Sequence, residues 1–316
     1  MRAARFHEFG GPEVLRIEEV DWPHPQGDEV LIRVHASSVN GTDLGLRRGE
    51  GPFALTTRRP FIPGFDVAGE VVRLGPKVTA FEVGDKVYSL LGHGGGGAAE
   101  YVTARQARVG PAPESVPLAQ AAAVPLSGLT ALQGLRGAGG EKLYPGARVL
   151  VYGASGGIGA FAVQIAKHFG AFVAGTARPG KLDFVRGLGA DEVFDSGSDL
   201  AQLGQSWDLV FDTPPVLKFA DVRPVLGEDG VLVSTRPIPD NLASARAMLA
   251  RSGPRMAGVM TRERGLDLAY LARLIDAGAL RVPIDKIYPL EDIAEAHRYA
   301  EGREVRGKVV VTMGER

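Results

Sequence analysis

A glycine-rich string, VYGASGGIGA (Val151–Ala160), is the strongest chemical signal in the chain. A strand-like stretch, ARVLVY, precedes it, and an amphipathic helical pattern, IGAFAVQIAKHFG, follows it. In this order the backbone N–H groups at the start of the helix can hold a pyrophosphate, because a helix N-terminus attracts negative charge. Gly156 would let the pyrophosphate approach, and Gly159 would let the helix pack on the strand. The residues expected to hold the pyrophosphate are Gly153, Ala154, Ser155, Gly156, Gly157 and Ile158.

The string departs at one position from the common dinucleotide fingerprint, G-x-G-x-x-G. Ala154 stands where the first glycine is expected, and Gly153 comes directly before it. A plain strand-to-helix turn is therefore the alternative to a phosphate cradle. The flanking strand and helix, and the strand and helix patterns that follow, favour the cradle.

The next strand-like stretch, AFVAGTARPGK (Ala171–Lys181), bears on which dinucleotide is bound. An acidic residue about 20 residues after the first glycine would bind the ribose 2′-hydroxyl of NAD, but this stretch contains no acid. Thr176, Arg178 and Lys181 offer a hydroxyl and two cations, which suit a 2′-phosphate. The sequence predicts NADPH (NADP) over NADH, with solvated surface cations as the alternative interpretation.

Two kinds of secondary structure must position these residues. The first third of the chain is predicted to be β structure, beginning with VLIRVHASSV (Val30–Val39), in which apolar and polar residues alternate. After Pro117 an Ala- and Leu-rich stretch predicts helix that Pro125 breaks. Strand and helix patterns then alternate as far as RMAGVM (Arg255–Met260). The predicted fold class is α/β, with a Rossmann-like doubly wound parallel sheet and a mostly-β unit.

Composition argues against several classes of function. The net charge of -1 in 316 residues gives no reason to expect nucleic-acid binding. The chain has no cysteine, which excludes disulfides and thiolate-bound metals. No apolar run reaches about 18 residues, so no membrane span is expected. The start, MRAARFHEFGGPEV, lacks the apolar core of a secretory signal, and the expected location is cytoplasmic.

Several stretches together resemble the zinc-free quinone oxidoreductases of the medium-chain dehydrogenase/reductase superfamily. They cover nearly the whole length and include SSVNGTDLGLRRG, PFIPGFDVAGEVVRLGPKVTAFEVGDKVY, GGAAEYV, AAAVPLSGLTAL, VYGASGGIGAFAVQIAKHFGA, LGADEVFD, DLVFDT and IDKIYPLEDIAEAHRYAEGREVRGKVVV. The resemblance implies a GroES-like catalytic domain formed by residues 1–119 and 262–316. It also implies a Rossmann dinucleotide-binding domain at residues 120–261.

The resemblance also predicts that no metal takes part. Zinc-dependent relatives carry Cys, His and Cys where this chain has Asn40, Phe65 and Leu126, none of which is a good zinc ligand. Without a Lewis acid the site cannot easily stabilise an alkoxide, which disfavours simple alcohol oxidation. The expected acceptors are quinones and α,β-unsaturated carbonyls, because they delocalise the charge that a hydride brings.

Residue roles are carried over from the family by position. Asn40 and Asp43 are the predicted catalytic residues, with turn chemistry after a strand as the alternative. Tyrosines that some relatives have after this segment are absent, and water is the expected proton source. Ser196 stands where the family often has a tyrosine against the adenosine phosphate. The remaining predicted contacts to the cofactor come from Asn40, Thr130, Ser196, Thr213, Ser234 and Lys308.

The predicted assembly is a homodimer or tetramer that pairs through the edge strand near Arg255–Met260, as the resemblance implies. Two alternatives to quinone or enone reduction stay open at this point. One is reduction of an enoyl thioester. The other is a low-turnover NADPH-binding protein, like the relatives that serve as lens crystallins or bind RNA.

Overall fold

The computed structural model describes residues 1–203, 206–236, 238–239, 241–302 and 304–314. The chain forms two compact units. The first unit comprises Met1–Leu126, Glu263–Gly278 and Val282–Arg316, and the second comprises Ser127–Arg262 and Ala279–Arg281. We keep the division into a catalytic and a dinucleotide-binding domain, at the boundaries predicted from the sequence, as a proposal.

The strands follow one another through both units. In chain order they are β1 Arg2–Arg5, β2 Arg16–Glu19, β3 Glu29–Val39, β4 Asp66–Leu74, β5 Lys86–Leu90, β6 Tyr101–Arg105, β7 Val109–Pro111, β8 Arg148–Tyr152, β9 Phe172–Ala177, β10 Glu192–Asp195, β11 Trp207–Asp212, β12 Leu226–Ser234, β13 Arg255–Gly258, β14 Ile284–Pro289 and β15 Lys308–Thr312.

The α-helices range in length from 4 to 12 residues. They are α1 Gly41–Arg48, α2 Leu118–Ala121, α3 Pro125–Gln133, α4 Gly157–His168, α5 Leu182–Gly187, α6 Phe219–Val222, α7 Leu242–Leu249, α8 Gly265–Asp276 and α9 Ile293–Glu301. The predicted break at Pro125 is confirmed, since proline begins α3, where its missing N–H leaves no hydrogen bond unmade.

A seven-stranded sheet forms the centre of the first unit, with β3 as its hub. β3 pairs antiparallel with β4, β6 and β15, and β15 pairs parallel with β14. The predicted alternation of exposed and buried residues holds from Ile32 to Ala36 but ends there, because Ser37, Ser38 and Val39 are all buried. The end of β3 therefore carries polar side chains into the interior of the unit.

A six-stranded sheet forms the centre of the second unit, in the order β10-β9-β8-β11-β12-β13, and every pairing in it is parallel. Its central strands are short apolar runs such as Val149–Val151 and Leu209–Phe211, all fully buried, as expected for a parallel sheet covered on both faces. The strand order reverses between β8 and β11. Ligands of open α/β sheets bind at the carboxyl ends of the strands beside such a reversal.

Candidate active site

The glycine string lies at the strand-order reversal of the second unit. β8 ends at Tyr152, α4 begins at Gly157, and Gly153 turns the chain with φ of +77°. A β-carbon on Gly159 would lie 2.3 Å from the carbonyl oxygen of Gly153, so glycine is required there for α4 to pack on the turn. The tight-turn interpretation is therefore correct for Gly153 and Gly159, and it does not exclude the cradle.

Gly156 has a different environment from these two glycines. It is the N-cap of α4, has no side-chain cap, and has extended backbone angles. A β-carbon there would meet, among the described atoms within 4 Å, the Gly153 carbonyl oxygen at 3.4 Å. The first N–H groups of an α-helix have no partner within the helix. An open N-cap glycine before such groups fits a pyrophosphate, so the turn can hold a nicotinamide dinucleotide.

The end of β9 contains no acidic side chain, as the sequence indicated. Arg178 is exposed directly after the strand, whereas Lys181 is buried in a short 3-10 turn. The Thr176 hydroxyl accepts the N–H of Gly153 at 3.1 Å and is itself buried. Thr176 therefore holds the glycine turn in place, which is a role that the sequence did not suggest.

Thr213 and Ser234 also form bonds inside the second unit. The Thr213 hydroxyl donates to the carbonyl oxygen of Tyr152 at 2.8 Å, and Ser234 donates to the Asp212 carboxylate at 3.2 Å. Asp212 also accepts the N–H groups of Val216 and Leu217. Burial raises the pKa of Asp212, although these hydrogen bonds favour its charged form.

Ser196 and Thr130 are placed at different parts of the second unit. The Tyr152 hydroxyl donates to the carbonyl oxygen of Ser196 at 3.1 Å, which ties the segment after β10 to the end of β8. Thr130, on α3, is buried with its hydroxyl oxygen 2.6 Å from that of Thr261. The cofactor contacts predicted for Ser196 and Thr130 stay predictions.

A buried polar cluster occupies the end of β3 and the start of α1 in the first unit. We call it the Asn40 cluster, and its members are Ser38, Asn40, Asp43, Asp66 and Lys308. Asp66 is fully buried, and the other four side chains have exposed fractions of 7% or less. Such a cluster is stable only when its hydrogen-bonding groups are satisfied.

Asp66 is the acceptor at the centre of the cluster. One carboxylate oxygen accepts the Ser38 hydroxyl at 2.6 Å and the Asn40 side-chain amide at 2.9 Å. The other oxygen accepts the N–H of Leu126 at 2.7 Å. The Lys308 ammonium lies 3.6 Å from the first oxygen and donates to the Asn40 side-chain oxygen.

Asp43 supports the backbone around Asn40. Its two carboxylate oxygens accept the N–H of Asn40 at 2.9 Å and the N–H of Gly64 at 2.8 Å. Burial raises the pKa of Asp43 to about 7, against the effect of these two N–H groups, which favour the charged form. Burial likewise lowers the pKa of Lys308, while Asp66 and Asp43 act in the opposite direction.

The three positions that the resemblance matches with zinc ligands hold Asn40, Phe65 and Leu126. Asn40 is bonded within its cluster, Phe65 is a buried apolar side chain, and Leu126 contributes its backbone N–H to Asp66. Within the described residues, no group of three or more His, Cys, Asp or Glu side chains is placed to hold a metal ion. In the same part of the chain, no helix is long and apolar enough to cross a membrane.

Comparisons with known proteins identify the family. The family described as "Alcohol dehydrogenase GroES-like domain" matches residues 26–114, and that described as "Zinc-binding dehydrogenase" matches residues 188–311. The chain is 34% identical to the chloroplast envelope quinone oxidoreductase homolog of Arabidopsis thaliana, with 98% of each chain covered. It is 33% identical to the quinone oxidoreductase of Mus musculus, with 99% of this chain and 98% of the mouse protein covered. The chain belongs to the quinone oxidoreductase family.

A solved structure supports the same assignment. The quinone oxidoreductase from Coxiella burnetii matches with a TM-score of 0.89 at 32% identity, over 99% of each chain. The predicted fold class, with a Rossmann-like sheet and a GroES-like unit, is confirmed. The chain is therefore an oxidoreductase of the medium-chain dehydrogenase/reductase superfamily that uses a nicotinamide cofactor and acts on small molecules.

Sequence reasoning identified the two regions but missed some of the residues that organise them. Asp66 was not among the predicted site residues, yet it accepts hydrogen bonds from Ser38, Asn40 and Leu126. Asp212 and Tyr152 were not singled out, although each joins two segments beside the glycine turn. A carboxylate that ends an apolar strand, as in LVFD, was the available signal for Asp212.

Proposed function

We propose that this chain reduces quinones or α,β-unsaturated carbonyls with NADPH and without a metal. The observation that carries the proposal is the open N-cap glycine at the strand-order reversal, in a chain whose former zinc positions hold Asn40, Phe65 and Leu126. One relative, the NADPH-dependent alkenal/one oxidoreductase of Arabidopsis thaliana, is 33% identical over 98% of this chain.

Asn40, Phe65 and Leu126 are poor zinc ligands, and this limits which acceptors the chain can reduce. A bound reduced nicotinamide supplies a hydride, and the chain itself provides the phosphate cradle and the ordered Asn40 cluster. The negative charge that the hydride brings must be carried by the acceptor, which a conjugated carbonyl or a quinone does by delocalisation. A proton from water then completes the reduction to the saturated carbonyl or the hydroquinone.

The preference for NADPH over NADH rests on the end of β9. β9 itself ends without the acidic residue that would bind a ribose 2′-hydroxyl, and the exposed guanidinium of Arg178 can bind a 2′-phosphate. Lys181 contributes less in this proposal, because its side chain is buried. A mycobacterial protein solved with NADPH supports the choice, at 29% identity and a TM-score of 0.84.

A second candidate function is reduction of an enoyl thioester. The specific observation in its favour is the CurK enoyl reductase structure, which matches with a TM-score of 0.87 at 28% identity. An enoyl thioester is also a conjugated carbonyl, so the two candidates share their chemistry and differ in the size and charge of the substrate.

The test is a substrate panel with the purified protein. Loss of reduced cofactor is followed with NADPH or NADH and a set of quinones, simple enones and enoyl thioesters, after dialysis against a chelator. We expect turnover with NADPH and quinones or enones, unchanged by added zinc. Tight NADPH binding without turnover on any acceptor would instead indicate a binding protein, and activation by zinc would contradict the metal-free proposal.

Two further expectations belong to this proposal. We infer a homodimer or tetramer that pairs along the edge strand β13, since the neighbouring Leu249 and Met260 are 82% and 70% exposed. Light scattering on the purified protein measures the assembly, and a monomer would contradict it.

The cytoplasmic location also stays a prediction, and several relatives are named as chloroplast proteins.

A further inference from the structure

The side-chain amide of Asn40 has a single possible orientation in its cluster. Its nitrogen lies 2.9 Å from a carboxylate oxygen of Asp66, and its oxygen accepts from the Lys308 ammonium. Exchanging the two ends would set oxygen against carboxylate and N–H against ammonium, which are repulsive contacts. The charges on the two neighbours therefore decide which end is nitrogen.

Both hydrogens of this amide are already bonded inside the first unit. One goes to Asp66, and the other goes to the carbonyl oxygen of Ser38 at 3.3 Å. The amide oxygen has two lone pairs, and Lys308 takes one of them. What Asn40 can offer to a ligand is one acceptor site.

We propose that Asp66 and Lys308 are positioning residues that fix Asn40 as a hydrogen-bond acceptor. In this arrangement Asn40 receives a hydrogen bond from a hydroxyl or N–H of a bound ligand, such as those of a nicotinamide nucleotide, and donates none to the carbonyl oxygen of the acceptor. The inference deepens the proposed function and rests on it only for the choice of ligand.

Burial supports this arrangement over a freely rotating amide. Asp66 and Lys308 are 0% and 3% exposed, whereas Asn40 is 7% exposed. Asp66 is also held by Ser38 and by the N–H of Leu126, and it cannot turn away without leaving buried donors unbonded. Asn40 is the least buried of the three, and its amide is oriented by Asp66 and Lys308.

The chain contains only two asparagines, Asn40 and Asn241, which makes a direct test possible. Protein labelled with nitrogen-15 in asparagine side chains gives two pairs of amide signals by nuclear magnetic resonance. Asn241 is exposed and serves as the internal reference. We expect both Asn40 amide hydrogens to exchange with solvent at least about tenfold more slowly than those of Asn241.

Ligand binding then tests whether the amide keeps Asp66 as its acceptor. With saturating NADPH, and with NADP plus 2-cyclohexen-1-one, both Asn40 amide hydrogens should stay protected, and the amide nitrogen should keep its coupling through the hydrogen bond to the Asp66 carboxyl carbon, which would be lost if the amide donated to a ligand instead. Fast exchange in the free protein, or loss of protection of either hydrogen in a complex, would overturn the inference. The two tests can fail separately. If the Asn40 hydrogens are protected but the protein turns over no acceptor, the inference about Asn40 holds and the proposed function is wrong.

Two variants show whether Asp66 is the group that fixes the amide. Asp66→Leu removes the acceptor, and we expect the Asn40 hydrogens to exchange at least about tenfold faster. Ser38→Ala is the matched control, since it keeps Asp66 and the Ser38 backbone carbonyl and should change the exchange less than about twofold. Unchanged exchange in Asp66→Leu would contradict the positioning role. If that variant does not fold, which the Asn241 signals report, the NADPH titration of the natural protein still decides.

Discussion

The glycine turn and the Asn40 cluster are built in opposite ways. In the glycine turn the groups offered to a ligand are backbone N–H groups, and the nearby side chains of Thr176 and Thr213 bond to the backbone that carries them. In the Asn40 cluster the offered group is a side chain, fixed by buried charges. We therefore expect the glycine turn to be most sensitive to changes in backbone shape, and the Asn40 cluster to be most sensitive to changes in charge.

The largest effect is expected from breaking the charge balance of the Asn40 cluster. Lys308→Met leaves the carboxylate of Asp66 buried beside an uncharged side chain. Losing one member of a buried pair costs about 3–5 kcal/mol of unfolding free energy. Urea denaturation measures the loss, and the double variant with Asp66→Leu should recover part of it. A loss below about 1 kcal/mol in the single variant would mean that the cluster does not depend on this charge.

The pH dependence of stability gives the next largest effect. Asp43 has a pKa of about 7 in the folded protein, where burial dominates, against about 4 when unfolded. Between these values the folded state holds a proton that the unfolded state lacks, so the contribution of Asp43 to stability is lost as the pH rises towards 7.

The variant Asp43→Asn isolates this contribution. The difference in unfolding free energy between the natural protein and the variant should shrink by about 2 kcal/mol between pH 5 and 7.5. His297, whose pKa burial and nearby Arg47 lower to about 3, acts in the opposite direction but is present in both proteins and cancels. A difference that does not change with pH would contradict the raised pKa.

Substitution at Gly156 tests whether the glycine turn binds NADPH, because a larger side chain there changes the shape of the turn without changing its charge. Gly156→Val places a side chain where the described structure leaves space, so the fold should persist while the NADPH dissociation constant rises at least about tenfold, or about 1.4 kcal/mol. Gly187→Ala is the control at a glycine outside the turn, because a β-carbon there would meet no described atom within 4 Å. Fluorescence titration with NADPH measures both. Equal affinities of the two variants for NADPH would show that the glycine turn is not part of the cofactor site.

The smallest effect concerns the choice between the two dinucleotides. Arg178→Ala should weaken NADPH binding about fivefold to tenfold and leave NADH binding unchanged, because the side chain is exposed and its ion pair with a phosphate is screened by water. Titrations with both cofactors provide the measurement, with Arg186→Ala as a control for general charge. Equal losses of affinity for NADPH and NADH would show that Arg178 does not bind the 2′-phosphate.

The sequence predicted the second unit better than the first. The apolar strands Val149–Val151 and Leu209–Phe211 and the glycine string carry local signals, because a buried parallel strand and a tight turn each require particular residue types. The catalytic roles predicted for Asn40 and Asp43 stay predictions, and the structure adds that Asp43 accepts the N–H groups of Asn40 and Gly64.

The partners within the Asn40 cluster were not predictable from local pattern. Asn40, Asp66 and Lys308 lie far apart in sequence and meet because β3 pairs with both β4 and β15. Long-range pairing of this kind leaves no periodicity in the chain. The same holds for Thr176, whose bond to Gly153 depends on the packing of β8 against β9.

Isotope tracing tests the central claim most directly. The protein, dialysed against a chelator, is supplied with NADPH that carries deuterium at C4 on the transferred face, together with 2-cyclohexen-1-one. The proposed function predicts one deuterium at the β-carbon of the cyclohexanone product for each NADPH oxidised. Oxidation of NADPH without deuterium in the product, or transfer only after zinc is added, would contradict metal-free hydride delivery by this chain.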